Sequence, residues 1–187
     1  LRALSVVAAS LNNIAIEVDY PPEVGADRIA NAVGACQLYR APAIVIDFGT
    51  ATTFDVISAD EQYLGGSIAP GIVLALDALV SRAARLFGIE LVVPERAIGN
   101  NTVEAMQSGL MLGYVGLIEG LVERIKGELR DPAGQGTEET GNAAPLIIAT
   151  GGLAPTIGPH VRPVDVVDPD LTLHGLRLVY ERTQRKS

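Results

Sequence analysis

Ala43-Ile44-Val45-Ile46-Asp47-Phe48-Gly49-Thr50-Ala51-Thr52-Thr53-Phe54-Asp55 is the stretch on which the fold of this chain turns. Four residues of strand character, Ala43 to Ile46, stop at a carboxylate, Asp47. The chain turns on Gly49 and resumes as a strand rich in β-branched residues, Thr52, Thr53, Val56 and Ile57. A turn of Asp, Gly and Thr lets the backbone approach an anion closely and offers several N–H and hydroxyl donors at one point. Such a turn suits a phosphate. The carboxylate repels phosphate, so its natural use there is to hold a cation that neutralises the phosphate or orders the turn. The same residues also fit an ordinary hairpin turn with surface threonines, and the stretch alone leaves both readings open.

Upstream, Tyr20-Pro21-Pro22-Glu23 interrupts regular structure, because neither proline can donate to a ladder and each restricts the residue before it. A helix is expected from Gly25 to Cys36, with Ile29, Val33 and Cys36 on one face. Asp27 falls in its first turn, where a carboxylate complements the helix dipole whatever else it does. Leu1 to Ser10 and Ile14 to Val18 read as short pieces around an Asn12-Asn13 turn, the tail of an element that begins further upstream.

Downstream, Tyr63 to Gly71 reads as a third strand, completing an antiparallel meander, and Ile72 to Phe87 as a helix packing one face on that sheet. Asn101 with Glu104 has capping-box form and opens the longest helix, with Val103, Met106, Leu110, Tyr114, Leu117, Leu121 and Ile125 as its apolar stripe. Thr102 then stands at the first helical position, beside free N–H groups, either as a plain helix start or as a hydroxyl that meets an anion. Gly109, Gly113, Gly116 and Gly120 line the same helix and permit another backbone to approach, as across a subunit interface. A polar loop, Asp131 to Pro145, leads to a buried strand, Leu146 to Ala149. That strand runs into Thr150-Gly151-Gly152, a form that lets a nucleotide approach the backbone. The segment after Asp168-Pro169 reads as a terminal helix covering the sheet.

The composition is globular, 48% hydrophobic and 19% charged over 187 residues. A net charge of −8 and scattered Lys and Arg argue against a nucleic-acid surface. No apolar run is expected to span a bilayer and no secretory leader is read at the start, so the chain is expected to be cytosolic. One cysteine, Cys36, excludes an internal disulfide and any cysteine-based metal cluster, and His160 and His174 are too few for a histidine-based site.

Taken together, Gly25-Ala26-Asp27-Arg28, Asp47-Phe48-Gly49-Thr50-Ala51-Thr52-Thr53, Gly65-Gly66-Ser67-Ile68-Ala69-Pro70-Gly71, Asn101-Thr102-Val103 with Ser108-Gly109, and Thr150-Gly151-Gly152 resemble type III pantothenate kinase. That family belongs to the superfamily of sugar kinases, actin and the heat-shock-chaperone ATPase domain. Their order matches the family's from Tyr20 to the C-terminus. The resemblance implies an α/β, RNase H-like (actin-like ATPase) lobe: a mixed sheet with three antiparallel strands plus parallel ones, and helices on both faces. Residues 1–19 would be a remnant of a first such lobe, and residues 20–187 a second lobe carrying the pantothenate site and part of the ATP site.

The implied reaction is ATP-dependent phosphorylation of pantothenate, the first step toward coenzyme A, in a cytoplasmic homodimer that uses neither nucleic acid nor membrane. Asp27 corresponds to the catalytic base. Tyr20, Gly25, Ala26, Arg28 and Thr102 correspond to pantothenate contacts, Gly49, Thr50, Gly151 and Gly152 to the ATP site, and Asp47 to the ligand of a monovalent cation, K⁺ or NH₄⁺. Mg²⁺ would arrive with ATP. The family's first-lobe phosphate motif, Asp-x-Gly-Asn-Thr, does not occur in these residues. The alternative to the kinase is therefore a dimerising or pantothenate-binding module without the first ATP-binding lobe.

Overall fold

The computed structural model describes residues 14–83, 85–130 and 143–185. The expected elements over Leu1 to Ser10 and most of the polar loop lie outside the described residues. Strands β1 (Ala43–Phe48), β2 (Ala51–Ile57) and β3 (Tyr63–Pro70) form the expected antiparallel meander. Strands β4 (Leu146–Thr150) and β5 (Val166–Val167) extend it in parallel beyond β1, giving the order β3-β2-β1-β4-β5. The central strand β1 is covered on both faces, which is why it reads as a continuous apolar run and not as an alternation. Of the stretch Ile14 to Val18, one parallel bridge joins Ile16 to Tyr63.

Among the described residues six α-helices accompany the sheet: α1 (Ala26–Leu38), α2 (Ile72–Arg82), α3 (Thr102–Gln107), α4 (Gly113–Arg130), α5 (Ala154–Ile157) and α6 (Leu171–Arg185). One core layer sets Met111, Tyr114, Ile118, Val122 and Ile125 against Ile44, Ile46, Phe48, Phe54 and Val56. The other sets Ile29, Ala32 and Val33 of α1 against Val45, Ile57, Tyr63 and Ile148. The two layers lie on opposite sides of the sheet, as expected for this fold class.

Three expectations need correction. First, α3 and α4 are one continuous helix interrupted by a π-type turn over Ser108–Leu112. Met106, Tyr114 and Ile125 are buried as expected, while Met111, Ile118 and Val122 are buried where Leu110, Leu117 and Leu121 were expected. This helix, Thr102–Arg130, is also long and apolar enough to cross a membrane by length and composition, contrary to the expectation. Its apolar stripe packs on the sheet, however, and its outer face carries Glu123, Arg124 and Glu128.

Second, α2 stops at Arg82 and buries only Ile72, leaving Val73, Leu74 and Leu79 exposed. Its residues are apolar on more than one side, so periodicity could not assign the face. Third, α6 packs chiefly on α1, with Leu171, Leu178 and Val179 joining the core layer between α1 and the sheet. Leu171 alone of its apolar residues is fully buried, while Leu173 and Leu176 are exposed.

The α1–α6 contact is a backbone-to-backbone approach. A Cβ on Gly175 would lie 1.9 Å from the Ala30 carbonyl oxygen, and one on Gly34 would lie 2.9 Å from Leu171 Cδ1. Gly175→Ala therefore forces the two helices apart. It should lower stability by about 2 kcal/mol, read as a lower urea midpoint with an unchanged m-value.

Candidate functional site

The first turn of α1 sends neighbouring residues in opposite directions. Gly25 caps it in an extended conformation, and Asp27 stays exposed with its carboxylate curled back over Gly25, where a Cβ would lie 2.4 Å from Oδ1. A carboxylate there complements the free N–H groups of the helix start. Arg28 runs under the sheet instead. Its Nε donates to Asp55 Oδ1 at 2.6 Å, its Nη2 donates to the Phe54 carbonyl at 3.3 Å, and Cζ lies 5.7 Å from the centroid of the Tyr63 ring.

Asp55 is fully buried in the middle of β2 and also accepts from the Tyr63 hydroxyl at 3.2 Å. Burial pushes its carboxyl up, against the pull of Arg28, Asn31 and Tyr63. A guanidinium does not deprotonate in a protein, so the pair holds together as ions. Burial likewise pushes the Tyr63 phenol up, as does the Asp55 charge. The Cys36 thiol is half-buried and pushed up to about 12, chiefly by burial, which leaves it inert.

Asp47, the last residue but one of β1, lies on the same side of the sheet, half-buried. Burial raises its carboxyl above the ordinary 3.8, the nearby Asp27 charge adds to that rise, and a hydrogen bond from Asn31 opposes it. Asn31, fully buried one helical turn beyond Asp27, donates from Nδ2 to Asp47 Oδ2 at 3.4 Å and to Asp55 Oδ2 at 3.2 Å. Its Oδ1 accepts from the Thr172 hydroxyl of α6 at 2.7 Å.

The hairpin turn at Gly49 and Thr50 is exposed and is closed beneath by Gly71, whose N–H donates to the Thr50 carbonyl at 3.0 Å. A Cβ on Gly71 would lie 2.4 Å from that oxygen. From the far side, Gly151 crosses the carboxylate with φ +89°, a conformation suited to glycine, and a Cβ there would lie 2.4 Å from Asp47 Oδ1. Thr150, paired with Asp47 in the β1–β4 register, is fully buried and its hydroxyl has no protein partner.

One carboxylate, a buried hydroxyl without a partner and neighbouring backbone carbonyls make an all-oxygen set that fits a weakly charged hard cation such as K⁺. Among the described residues no cluster of three or more His, Cys, Asp or Glu could hold a metal.

The structure thus gathers Asp27, Asp47, Gly49, Thr50 and Gly151 at the C-terminal end of the central strand, with Gly152 exposed just beyond. Arg28 lies in the same neighbourhood but is engaged by Asp55. Tyr20, 59% exposed, follows the β3-side bridge and precedes the one-turn helix Pro21–Glu23, and Thr102 is exposed at the start of α3. Among the described residues neither side chain is hydrogen-bonded to this group. Asn101 does cap α3, accepting from the Glu104 N–H at 3.0 Å, while Glu104 reaches back to the Asn100 N–H at 2.8 Å. A cleft of 520 Å³ lined by Pro42, Asp60, Leu129 and Arg130 opens at the opposite end of β1 and holds none of the site residues.

Sequence reasoning missed Asn31, Asp55, Tyr63 and Thr172. Asp55 carried a signal, a lone carboxylate between Phe54 and Val56 inside a strand, which needs a buried cation opposite it. Asn31 carried another, four residues after Asp27 and hence on the same helix face.

Several known proteins are similar to this chain. The family model for type III pantothenate kinase matches residues 2–124. The type III pantothenate kinase of Thermomicrobium roseum is 52% identical over 185 residues, 99% of this chain and 67% of that protein. That of Moorella thermoacetica is 54% identical over 167 residues, 89% of this chain and 61% of that protein. That of Geobacillus kaustophilus is 47% identical over 186 residues, 100% of this chain and 67% of that protein. The chain spans 61% to 67% of the length of these relatives. Among solved structures, a Baf family protein from Campylobacter jejuni superposes with a TM-score of 0.62 at 22% identity, covering 94% of this chain and 72% of that one, a likeness of fold.

Two measurements check the site. Asp55→Ala leaves the Arg28 guanidinium buried without its partner and should cost about 3 kcal/mol in urea unfolding. Asp47→Asn removes a charge that burial disfavours. Because the folded-state pKa is raised, the penalty for that charge is present at neutral pH and absent once the pH falls below the ordinary 3.8. In potassium-free buffer the Asn variant should therefore be the more stable at pH 7, with its advantage shrinking as the pH falls to about 4.

Proposed function

The chain belongs to the type III pantothenate kinase family, and we propose that it carries the pantothenate site and part of the ATP site of an enzyme that transfers the ATP γ-phosphoryl group to the primary hydroxyl of pantothenate. The observation that carries this reading is the juxtaposition of the exposed carboxylate of Asp27 with the glycine-walled turn after Asp47. Phosphoryl transfer needs a carboxylate at the attacking hydroxyl, cations near the phosphates and donors on the transferring oxygens.

Asp27 accepts the hydrogen bond of the attacking hydroxyl, orients it and takes its proton late. Because the transition state is loose, the orientation that Asp27 gives the hydroxyl counts for more than the strength of the base. Gly25 and Ala26 bring the backbone of the helix start to pantothenate, and Tyr20 and Thr102 offer hydroxyls to it. Arg28, bound to Asp55, contributes mainly by fixing the turn that carries Asp27. Thr50 and the Gly49 backbone meet the ATP phosphates on one side, Gly151 and Gly152 on the other. Mg²⁺ bound to ATP and a monovalent cation, K⁺ or NH₄⁺, at Asp47 would supply charge neutralisation at those phosphates.

The reading includes a cytoplasmic homodimer. What supports the dimer is an open apolar face: Gly109, Gly113, Gly116 and Gly120 have free space where a side chain would project, with Leu117 among them and exposed Val73 and Leu74 on the adjacent α2. Glycines that admit a second backbone, next to exposed aliphatic residues, suit a second copy of the chain.

The test is pantothenate-dependent ADP release with Mg-ATP and K⁺ in excess. Asp27→Asn should cut turnover by on the order of 100-fold while pantothenate binding, followed by calorimetry, moves less than about two-fold. Unchanged turnover in the variant removes Asp27 from the base role. Pantothenate binding without ADP release by the unsubstituted chain favours the binding-module alternative.

A further inference from the structure

We propose that Asn31 is a positioning residue, a neutral clamp that holds the Asp47 carboxylate in fixed relation to the helix carrying Asp27, with Thr172 setting its orientation. Its two functional ends are chemically determined. Asp47 Oδ2 and Asp55 Oδ2 can only accept from it, so the side-chain NH₂ must face them, one N–H to each. That leaves Oδ1 toward α6, where the Thr172 hydroxyl donates at 2.7 Å. The amide therefore has one orientation and not two, and it is fully buried, so water cannot replace it.

The neutrality of the residue is part of the argument. Asp55 already has a cation, Arg28, at 2.6 Å and a phenol donor at 3.2 Å. Asp47 has no cation among the described residues, and Asn31 is its one side-chain donor there. A lysine or arginine in place of Asn31 would neutralise Asp47 and compete with any cation drawn to it. A carboxylate would repel both aspartates. An amide orders the Asp47 oxygens and leaves the charge in place. Since Asn31 lies one turn along α1 from Asp27, the same clamp sets the distance from the phosphate turn to the base.

This inference rests on the kinase reading for its consequence in turnover, but its geometry can be tested without it. Asn31→Ala removes the clamp, and Thr172→Val keeps the clamp but removes its orienting donor. Where the unsubstituted protein turns over, Asn31→Ala should lower kcat by roughly 10- to 100-fold with the pantothenate KM within about two-fold, and Thr172→Val should give a smaller loss in the same sense. Hydrogen exchange should rise locally, in residues 25–31 and 45–53, and stay unchanged in β3 and the far end of α4.

An unchanged kcat in an active protein overturns the proposal, and so does an exchange increase spread evenly over all strands, which marks a residue that only holds the fold together. If Asn31→Ala does not fold, Thr172→Val carries the same two outcomes. If the unsubstituted protein releases no ADP, the kinase reading fails on its own. The exchange pattern then still decides, a local rise supporting the clamp and no local rise overturning it.

Discussion

A guanidinium cannot shed its charge to enter a protein interior, so an arginine folded under a sheet requires a carboxylate waiting for it. Arg28 and Asp55 meet that requirement in this chain. The two come from different elements, the first turn of α1 and the middle of β2, and their 2.6 Å contact fixes how the helix lies across the strands. Desolvating such a pair yields little net stability, and its value lies elsewhere. If the helix slid or rotated by one residue, both charges would be stranded. The exposed neighbour of the arginine, Asp27, inherits its placement from that constraint.

Around the pair, polar groups are arranged so that both oxygens of the buried Asp55 carboxylate find donors. Tyr63 and Asn31 complete Asp55, and Asn31 continues to Asp47, so one connected network runs from the helix to the end of the central strand. The opposite face of the sheet is different in kind. There the polar contact is a hydroxyl pair, Thr52 with Tyr114, set within an otherwise apolar layer. Both sides of the sheet are packed, but the two carboxylates lie on one of them: Asp47 and Asp55 share the side of Val45 and Ile57, while Ile46, Phe48, Phe54 and Val56 face the other.

Much of this was legible in the sequence because it depends on local chemistry. The strand-turn-strand about Gly49, the start of α1 at Gly25, the Asn101 cap and the Gly151 turn each follow from residues within a few positions of one another. What was not legible depends on geometry that no local pattern encodes. In the helix that carries the π-type turn at Ser108–Leu112, Met106, Tyr114 and Ile125 are buried as the periodicity predicts, but Met111, Ile118 and Val122 lie inside in place of Leu110, Leu117 and Leu121. α2 is apolar on more than one side, so its periodicity does not say that, among its described residues, Ile72 alone is buried while Val73, Leu74 and Leu79 stay exposed. Arg28 and Asp55 are 27 positions apart, and only the fold shows that they meet.

The parallel pairing of β1 with β4 has a kinetic side. β1, β2 and β3 follow one another through short turns, whereas β4 returns to β1 only after the whole of α2, α3, α4 and the polar loop has passed. Closing so long a loop is entropically slow, so the meander and α1 can assemble before β4 arrives. Asp47 then exists first as an edge carboxylate, open to water along one flank. Docking of β4 brings Thr150 and Gly151 against it and shuts that flank. The site closes when β4 registers against β1, so a chain lacking that pairing presents a solvated acid where the folded one presents a half-buried carboxylate.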